Sequence, residues 1–502
     1  MGTKGCANLM HIYAIGFRLR EVHTQFISQY HYIFHLSPSH RIHCIPMDTT
    51  KNCTGEELSP SGLPIKPIPG SCGVPFFSPM WDRLNFYYFQ GHMTYFKSRI
   101  SKHNSTVLRL NVPPGPFLSS DPRVVAVLDA SSFQVLLDSS KVDKTNTLTG
   151  TYLPPFSLYS GHRPLAYLDT TDPLHTSLKT LITSLITSRK DHVIPSFREI
   201  YGSLFDNIYN ILDSSGPTEF NTLNESASFD FMCSAFFEGE LPSVAIGPTA
   251  SAMALKWLFF QLHPLKYFTN AGKSFLTGAE QIGISHNVAL HNLIFATIFN
   301  AFGGIKIFLP FLLKFLVEAG PKLHNKLSEE IRSVVQSENG SVTLASLEKM
   351  NLTKSVVYEA LRLNPPVEYQ YGHARADLII ESHDAAYKVK KGEMIFGYQT
   401  IVTRDEKVFA NGEQFVADRF VGEGEKLLQY VYWSNGRETD EPAITNKQCP
   451  GKDIVVLVGR LFVVELFLRY DTFTGEIGEL PLEPKITFKS FQKLKQLDAL
   501  TV

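Results

Sequence analysis

Residues 293–317 constrain this chain more than any other stretch. They are almost wholly apolar, yet Asn300, Gly303, Gly304, Lys306, Pro310 and Lys314 interrupt them, and in hydrocarbon those groups would go unmatched. No uninterrupted apolar run is long enough to span a bilayer. The segment is therefore read as helix buried inside protein, and the rest of the chain must cover it. With 502 residues, 44% hydrophobic and only 19% charged, there is ample material for such a core, which excludes a disordered or fibrous chain.

Charge narrows the partners. The 47 Lys and Arg almost balance the 48 Asp and Glu, so the basic footprint that nucleic-acid binders need is missing and nucleic acid is excluded as a partner. Six cysteines, Cys6, Cys44, Cys53, Cys72, Cys233 and Cys449, show neither a paired framework nor zinc spacing, which favours a reducing compartment. The 37 Phe suffice to line an apolar cavity as well as a core.

Residues 1–46 carry one acid, Glu21, against Lys4, Arg18, Arg20 and Arg41, with six of the 17 His. Two readings stay open: an organelle transit peptide, or extra translated sequence ahead of a start at Met47. Residues 1–58 are taken as an N-terminal extension and 59–502 as the folded body, entered through the Pro- and Gly-rich stretch 59–75. Strands are predicted at 105–110 and 124–128, separated by a Pro113-Pro114-Gly115-Pro116 turn. Helices are predicted at 177–186, 197–211, 252–262, 287–302, 320–336 and 344–363. Strands follow between 372 and 396, and a last apolar helix runs over 454–470. The fold class is mainly α with small β-sheets.

Three constellations carry chemistry. Glu359 and Arg362 share a helix face; alone, such a pair is usually a solvated bridge. It is followed in order by Ala417-Asp418-Arg419-Phe420, by Trp433-Ser434-Asn435-Gly436, and by Asn446-Lys447-Gln448-Cys449-Pro450-Gly451-Lys452. Cys449 thus lies in a turn just ahead of an apolar helix, where backbone N–H groups and the helix N-terminus lower a thiol pKa and favour a metal-binding thiolate. The second is Asn300 with Gly303 and Gly304, an amide beside two glycines that let the backbone bend or approach a ligand closely. The third is His175 with Lys179, one turn apart on one helix face and able to meet paired carboxylates.

These residues resemble the cytochrome P450 haem-thiolate proteins, in particular the plant group that rearranges fatty-acid hydroperoxides. The resemblance covers most of 63–490. It rests on Leu63-Pro64-Ile65, Asn111-Val112-Pro113-Pro114-Gly115-Pro116-Phe117, Tyr371-Gly372, Glu381-Ser382-His383-Asp384, Gly397-Tyr398-Gln399 and Arg469-Tyr470-Asp471, besides the loops above. Gly436 stands thirteen positions ahead of Cys449, an insertion that looks like this group's hallmark. The resemblance implies a cytochrome P450 fold with haem b ligated by Cys449, and haem contacts from Lys144, His175, Lys179 and Lys447. Asn300 becomes the distal polar group toward a hydroperoxide. The Phe299-Asn300-Ala301-Phe302-Gly303-Gly304 turn has no acid or hydroxyl to protonate iron-bound dioxygen, which disfavours a reductase-driven monooxygenase.

What the resemblance implies is a lyase acting on polyunsaturated fatty-acid hydroperoxides, without O₂, NADPH or a reductase. Leu148, just before Thr149-Gly150-Thr151-Tyr152, stands where family allene oxide synthases tend to carry Phe. With Tyr159-Ser160-Gly161-His162-Arg163-Pro164 it favours a divinyl ether synthase narrowly over an allene oxide synthase. A hydroperoxide lyase and a non-catalytic haem or lipid binder are the alternatives, the latter because the chain is shorter than relatives between Pro264 and Gly283. The implied location is the plastid, with the cytoplasm as alternative and peripheral membrane association.

Overall fold

The computed structural model describes residues 57–493 apart from 114–118, 154–160, 238–240, 246, 248, 253–276 and 481. The helix expected at 252–262, most of the Pro113–Pro116 turn, the shortened 264–283 region up to 276, and residues 1–56 therefore lie outside the described residues.

Helices dominate, as the periodicity predicts. Their main members are Phe77–Leu84, His92–His103, Pro173–Arg189, Val193–Ser215, Phe220–Phe236, Pro321–Ser337, Asn351–Leu363 and Lys452–Arg469. Among the described residues eleven strands, β1 to β11 in chain order, form three small sheets. The largest runs β2(Val107–Asn111), β3(Arg123–Val127), β9(Met394–Tyr398), β6(Tyr369–Ala374), β4(Val142–Asp143). Alternation along β3 sets its two faces: Val124 and Ala126 pack with Phe96 and Phe396, while Val125 and Val127 pack with Phe133 and Ile395. The long hairpin β10(Tyr470–Glu479) and β11(Pro484–Lys493) pairs antiparallel and extends to β5(Thr218–Glu219).

The stretch that opened the sequence argument is one helical run, His286–Ala319, of 34 residues. This corrects the expectation on length: by length and composition the run is long enough to cross a membrane, although half of its most apolar window is buried inside the protein. Lys306 and the carbonyl freed by Pro310 are spoken for within the fold. Lys306 Nζ lies 2.9 Å from Glu483 and 3.6 Å from Glu225. Pro310 has no N–H to donate to the Lys306 carbonyl one turn back, and Asn224 Nδ2 takes that place at 3.4 Å. Leu293, Ile305, Phe308, Leu309, Leu312 and Leu316 join the main core.

The run is not uniform. Residues Phe295–Phe302 form a π-helix between α-helical segments His286–Ile294 and Gly303–Ala319. The helix expected to end at 302 instead continues, and widens where Asn300 sits. Gly303 and Gly304 are both helical, and a Cβ on either would meet no protein atom nearer than 3.5 Å, so no close protein contact requires glycine there. The helix expected over 344–363 is split into Leu344–Glu348 and Asn351–Leu363. The second starts afresh because Glu330, from another helix, accepts Leu352 N at 2.7 Å and Thr353 N at 2.9 Å.

Candidate active site

Glu359 and Arg362 are fully buried, not solvated. Arg362 grips the carboxylate through Nε at 2.7 Å and Nη2 at 2.8 Å. Arg419 Nε joins at 2.9 and 3.0 Å, and Val416 N at 2.9 Å. Arg362 also donates to the carbonyls of Thr403, Gly412 and Gln414, and Phe409 lies against both guanidiniums. One carboxylate against two cations, with every donor placed, pins the segment between 403 and 420 to this helix.

The Cys449 loop builds on that frame. Trp433 to Gly436 turn sharply, with Trp433 N donating to Gly436 O at 2.8 Å and Ser434 in the left-handed region. Ser434 bridges to Gln448 across the insertion, and the Gln448 side chain lies where a Cβ on Gly436 would be, 2.7 Å away. Only glycine fits at 436. Cys449 follows, then the apolar helix Lys452–Arg469. Burial pushes the Cys449 thiol up, while the Gly451 N–H and the Lys179 charge pull it down. The expected backbone donor is present, but burial outweighs it and the shift is upward.

The cationic residues converge. Asp172 caps the helix Pro173–Arg189 through Leu174 N at 2.9 Å, with Pro173 in its first turn. That sets His175 and Lys179 inward, 1% and 2% exposed. Lys179 Nζ donates to Asn446 O at 2.5 Å and Oδ1 at 2.9 Å, which docks the helix on the cysteine loop. Lys447 Nζ reaches the carbonyls of Leu165, Ala166 and Leu168. Lys144 Nζ reaches Tyr371 O at 2.6 Å. Burial lowers Lys144 to about 7, helped by the Lys447 charge. It lowers Lys447 to about 8 with help from Lys179, and Lys179 itself to about 8. His175 falls to about 4 through burial and both lysines of its neighbourhood, Lys447 and Lys179.

This cradle tests the fit of haem. Three ammoniums, Lys144 and Lys179 buried and Lys447 half-buried, rest on neutral amide oxygens, and none forms an ion pair among the described residues. His175 Nδ1 is buried without a partner. The neighbouring carboxylate Asp169 is already taken by Lys144 N at 2.8 Å, Arg375 at 2.6 Å and Thr171, and Asp172 by the helix cap. Such an excess of buried positive charge calls for anionic groups. Two propionates match it, and a sulfur at the head of the nearby helix matches the iron.

Two further predicted residues are Leu148 and Asn300. Leu148 is half-buried in the turn that starts at Lys144; Gly150 there has φ +62°, and a Cβ on it would strike the Tyr371 ring at 2.2 Å. Asn300 sits in the π-helical segment with its side chain exposed and no hydrogen bond among the described residues. Thr297, the single hydroxyl of that segment, is spent on Leu293 O at 2.7 Å. No direct contact joins Asn300 or Leu148 to Cys449, although Cys449, Ile298 and Ala301 border the same core.

Sequence reasoning missed three members. Asn292 on the distal helix accepts Leu165 N at 2.7 Å and so ties that helix to the turn that holds Lys447. Asp169 orders the Lys144 backbone, and Glu438 binds Trp433, Tyr358 and Lys452. Only Asp169 left a signal, in the acid- and Thr-rich Asp169-Thr170-Thr171-Asp172 run before a helix with Pro at its first position.

A thiol heading a buried helix, a cationic cradle beside it and an internal Glu-Arg-Arg knot define a haem-thiolate protein of the P450 fold. Residues 306–439 match the cytochrome P450 family model. Allene oxide synthase 3 of Oryza sativa subsp. japonica is 51% identical over 489 residues, covering 89% of this chain and 97% of that protein. Allene oxide synthase 2 of the same organism is 52% identical, covering 83% and 95%. The chloroplastic allene oxide synthase of Arabidopsis thaliana is 45% identical, covering 86% and 90%. The chain belongs to the cytochrome P450 family, in its branch that metabolises fatty-acid hydroperoxides. These relatives carry the allene oxide name, so the narrow preference for a divinyl ether synthase drawn from Leu148 and Tyr159–Pro164 is corrected.

Proposed function

We propose that the chain is an allene oxide synthase, a hydroperoxide dehydratase that converts a polyunsaturated fatty-acid hydroperoxide into an allene oxide and water. The observation that carries this reading is the distal turn: an unengaged Asn300 amide, a Thr297 hydroxyl already bonded to Leu293, and no carboxylate. A site built to split O₂ needs a proton relay that this helix does not offer, whereas a substrate that brings its own O–O bond does not need one.

Haem bound through Cys449 and the cradle of Lys144, His175, Lys179 and Lys447 supplies one-electron chemistry toward the O–O bond. The chain's own contribution is orientation. Asn300 Nδ2 donates to, and Oδ1 accepts from, the hydroperoxide group, which selects the end of the substrate presented for reaction. Leu148 gives the diene an apolar, water-poor wall that protects a hydrolysable epoxide. The body from 59 to 502 carries this site. Several relatives are named chloroplastic, which supports a plastid location and a transit role for residues 1–58.

The test is direct. Purified protein mixed with a 13-hydroperoxide of a C18 acid, without NADPH, should bleach the conjugated-diene absorbance and give ketols, the hydrolysis products of an allene oxide, by mass spectrometry. Divinyl ether or aldehyde as the major product would overturn the reading, and so would unconsumed substrate. Asn300→Ala should lower turnover by roughly a hundredfold, the typical weight of one well-placed polar group at a reacting centre.

A further inference from the structure

The cysteine loop has a problem that its length creates. In a short loop the chain itself fixes the sulfur; here thirteen positions separate Gly436 from Cys449, and backbone proximity alone leaves the two ends free to drift. Besides the Ser434–Gln448 backbone bridge, side chains span the gap. Gln448 Nε2 donates to Arg437 O at 2.5 Å. The larger bridge is Glu438.

Glu438 has a side chain only 10% exposed, and it reaches three separate elements. One carboxylate oxygen accepts the Trp433 indole N–H. The other accepts the Tyr358 hydroxyl at 2.7 Å, from the residue next to the buried Glu359. Lys452, the first residue of the helix that follows Cys449, donates to the Glu438 main-chain carbonyl at 2.8 Å and lies 3.5 Å from Oε1. The Glu438 N–H completes the set on Val431 O at 2.7 Å. A single acid thus joins the turn before the insertion, the helix of the Glu-Arg-Arg knot and the helix after the cysteine.

We propose that Glu438 is the positioning residue of the thiolate loop: its carboxylate locks Trp433, Tyr358 and Lys452 together and thereby holds Cys449 in place as the iron ligand. The proposal rests on the assignment of Cys449 to iron. Chemistry favours an acid here over any neutral residue. Trp433 and Tyr358 present donors and Lys452 a positive charge 3.5 Å away, and an ionised carboxylate answers all three at once. Glutamine has one oxygen, and its amide N–H₂ would face the indole N–H and the ammonium.

The test uses purified haem-loaded protein and a readout apart from turnover. Ferrous–CO absorption separates thiolate-ligated haem from haem that has lost its sulfur, and the conversion from one to the other is followed with time. Glu438→Ala should convert roughly tenfold faster than wild type, a factor that matches the loss of a charged hydrogen-bond set. Glu438→Gln, which keeps shape and part of the bonding, should fall between them and serves if the alanine variant does not fold. Glu465→Gln is the control. Glu465 is even more deeply buried, on the helix after Cys449, but pairs with Arg198 and Arg469; it should lower the thermal midpoint and leave the conversion rate unchanged. Trp433→Phe combined with Glu438→Ala should convert no faster than the single alanine variant, because both break the same link. Wild-type conversion rates in both Glu438 variants would overturn the proposal, and so would an equal acceleration by Glu465→Gln. A wild type with no thiolate-type absorption would overturn the Cys449 assignment itself, which separates the two failures.

Discussion

Replacing Glu359 by Gln is the sharpest probe of the frame beneath the site. The carboxylate accepts from Arg362 Nε and Nη2, from Arg419 Nε and from Val416 N, all between 2.7 and 3.0 Å, and is itself fully buried. Glutamine keeps one acceptor oxygen and turns the other position into a donor aimed at guanidinium donors. Two cations then stay buried with no anion between them. Breaking a buried pair in this way costs about 3–5 kcal/mol, a third or more of the total stability of many proteins. Urea unfolding followed by far-UV circular dichroism measures the loss. The comparison is Lys97→Gln, which breaks the 2.5 Å pair with Glu413 where both side chains are 49% exposed; that pair is worth at most about 1 kcal/mol and weakens with salt. Removing all three charges with Glu359→Leu, Arg362→Met and Arg419→Met should recover part of the loss. Recovery stays incomplete, because the carbonyls of Thr403, Gly412 and Gln414 lose the donors that Arg362 gave them. A Glu359→Gln midpoint no lower than that of Lys97→Gln would refute the reasoning.

His324 gives a pH dependence with a definite sign. It is buried, with Nε2 on Leu316 O at 2.8 Å and Nδ1 on Thr472 Oγ1 at 2.7 Å. The carbonyl only accepts, so Nε2 carries the proton and Nδ1 accepts from the hydroxyl. Burial holds the ring pKa below 6.5, so below that pH the unfolded chain binds the proton first. Stability is full above 6.5 and falls as pH drops toward the folded-state value; urea midpoints should show this slope in wild type and a shallower one in His324→Gln. Gly150→Ala should cost roughly 1–3 kcal/mol, because φ is +62° and the new Cβ meets the Tyr371 ring; a thermal midpoint equal to wild type would contradict it. Asn292→Leu should cost about 1–3 kcal/mol by orphaning Leu165 N–H, and should speed haem transfer to apomyoglobin through the loosened Lys447 turn.

Which parts of the molecule were legible in sequence follows from where the ordering forces come from. The core of the helix at Pro173–Arg189 announced itself through periodicity over 177–186, while its start at Asp172 and Pro173, equally local, went unread. The cationic set announced itself too, because His175 and Lys179 share a helix face whatever surrounds them. The helix Phe220–Phe236 went unread because apolar and polar residues mix around its whole circumference. It is buried on nearly every side, with Asn224 and Asp230 satisfied by partners outside the helix, Tyr201 and Ser243, and Ser228 by the Asn224 carbonyl one turn back. The break at Lys349 and Met350 was invisible for the same reason: the cap is Glu330, 22 positions away. The Glu359 knot and the Glu438 link are also tertiary, and no spacing rule reveals that Arg419 reaches back across 60 positions.

The product assignment shows how far a single position can carry an argument. Leu148 lacks the aromatic face that phenylalanine would set beside a diene radical. One aromatic contact is worth about 0.5–1.5 kcal/mol, and a tenfold change in the ratio of two competing steps needs about 1.4 kcal/mol. The swap therefore tilts a partition by about two- to tenfold; it does not choose among three products whose barriers are set by the whole cavity. Identity of 45–52% over most of the chain speaks to that cavity as a whole, so it outweighs position 148. Leu148→Phe should then raise the share of allene-oxide-derived ketols by no more than about tenfold over competing products. A complete change of product on this one substitution would mean that the turn from Lys144 to Gly150, and not the surrounding cavity, decides the fate of the radical.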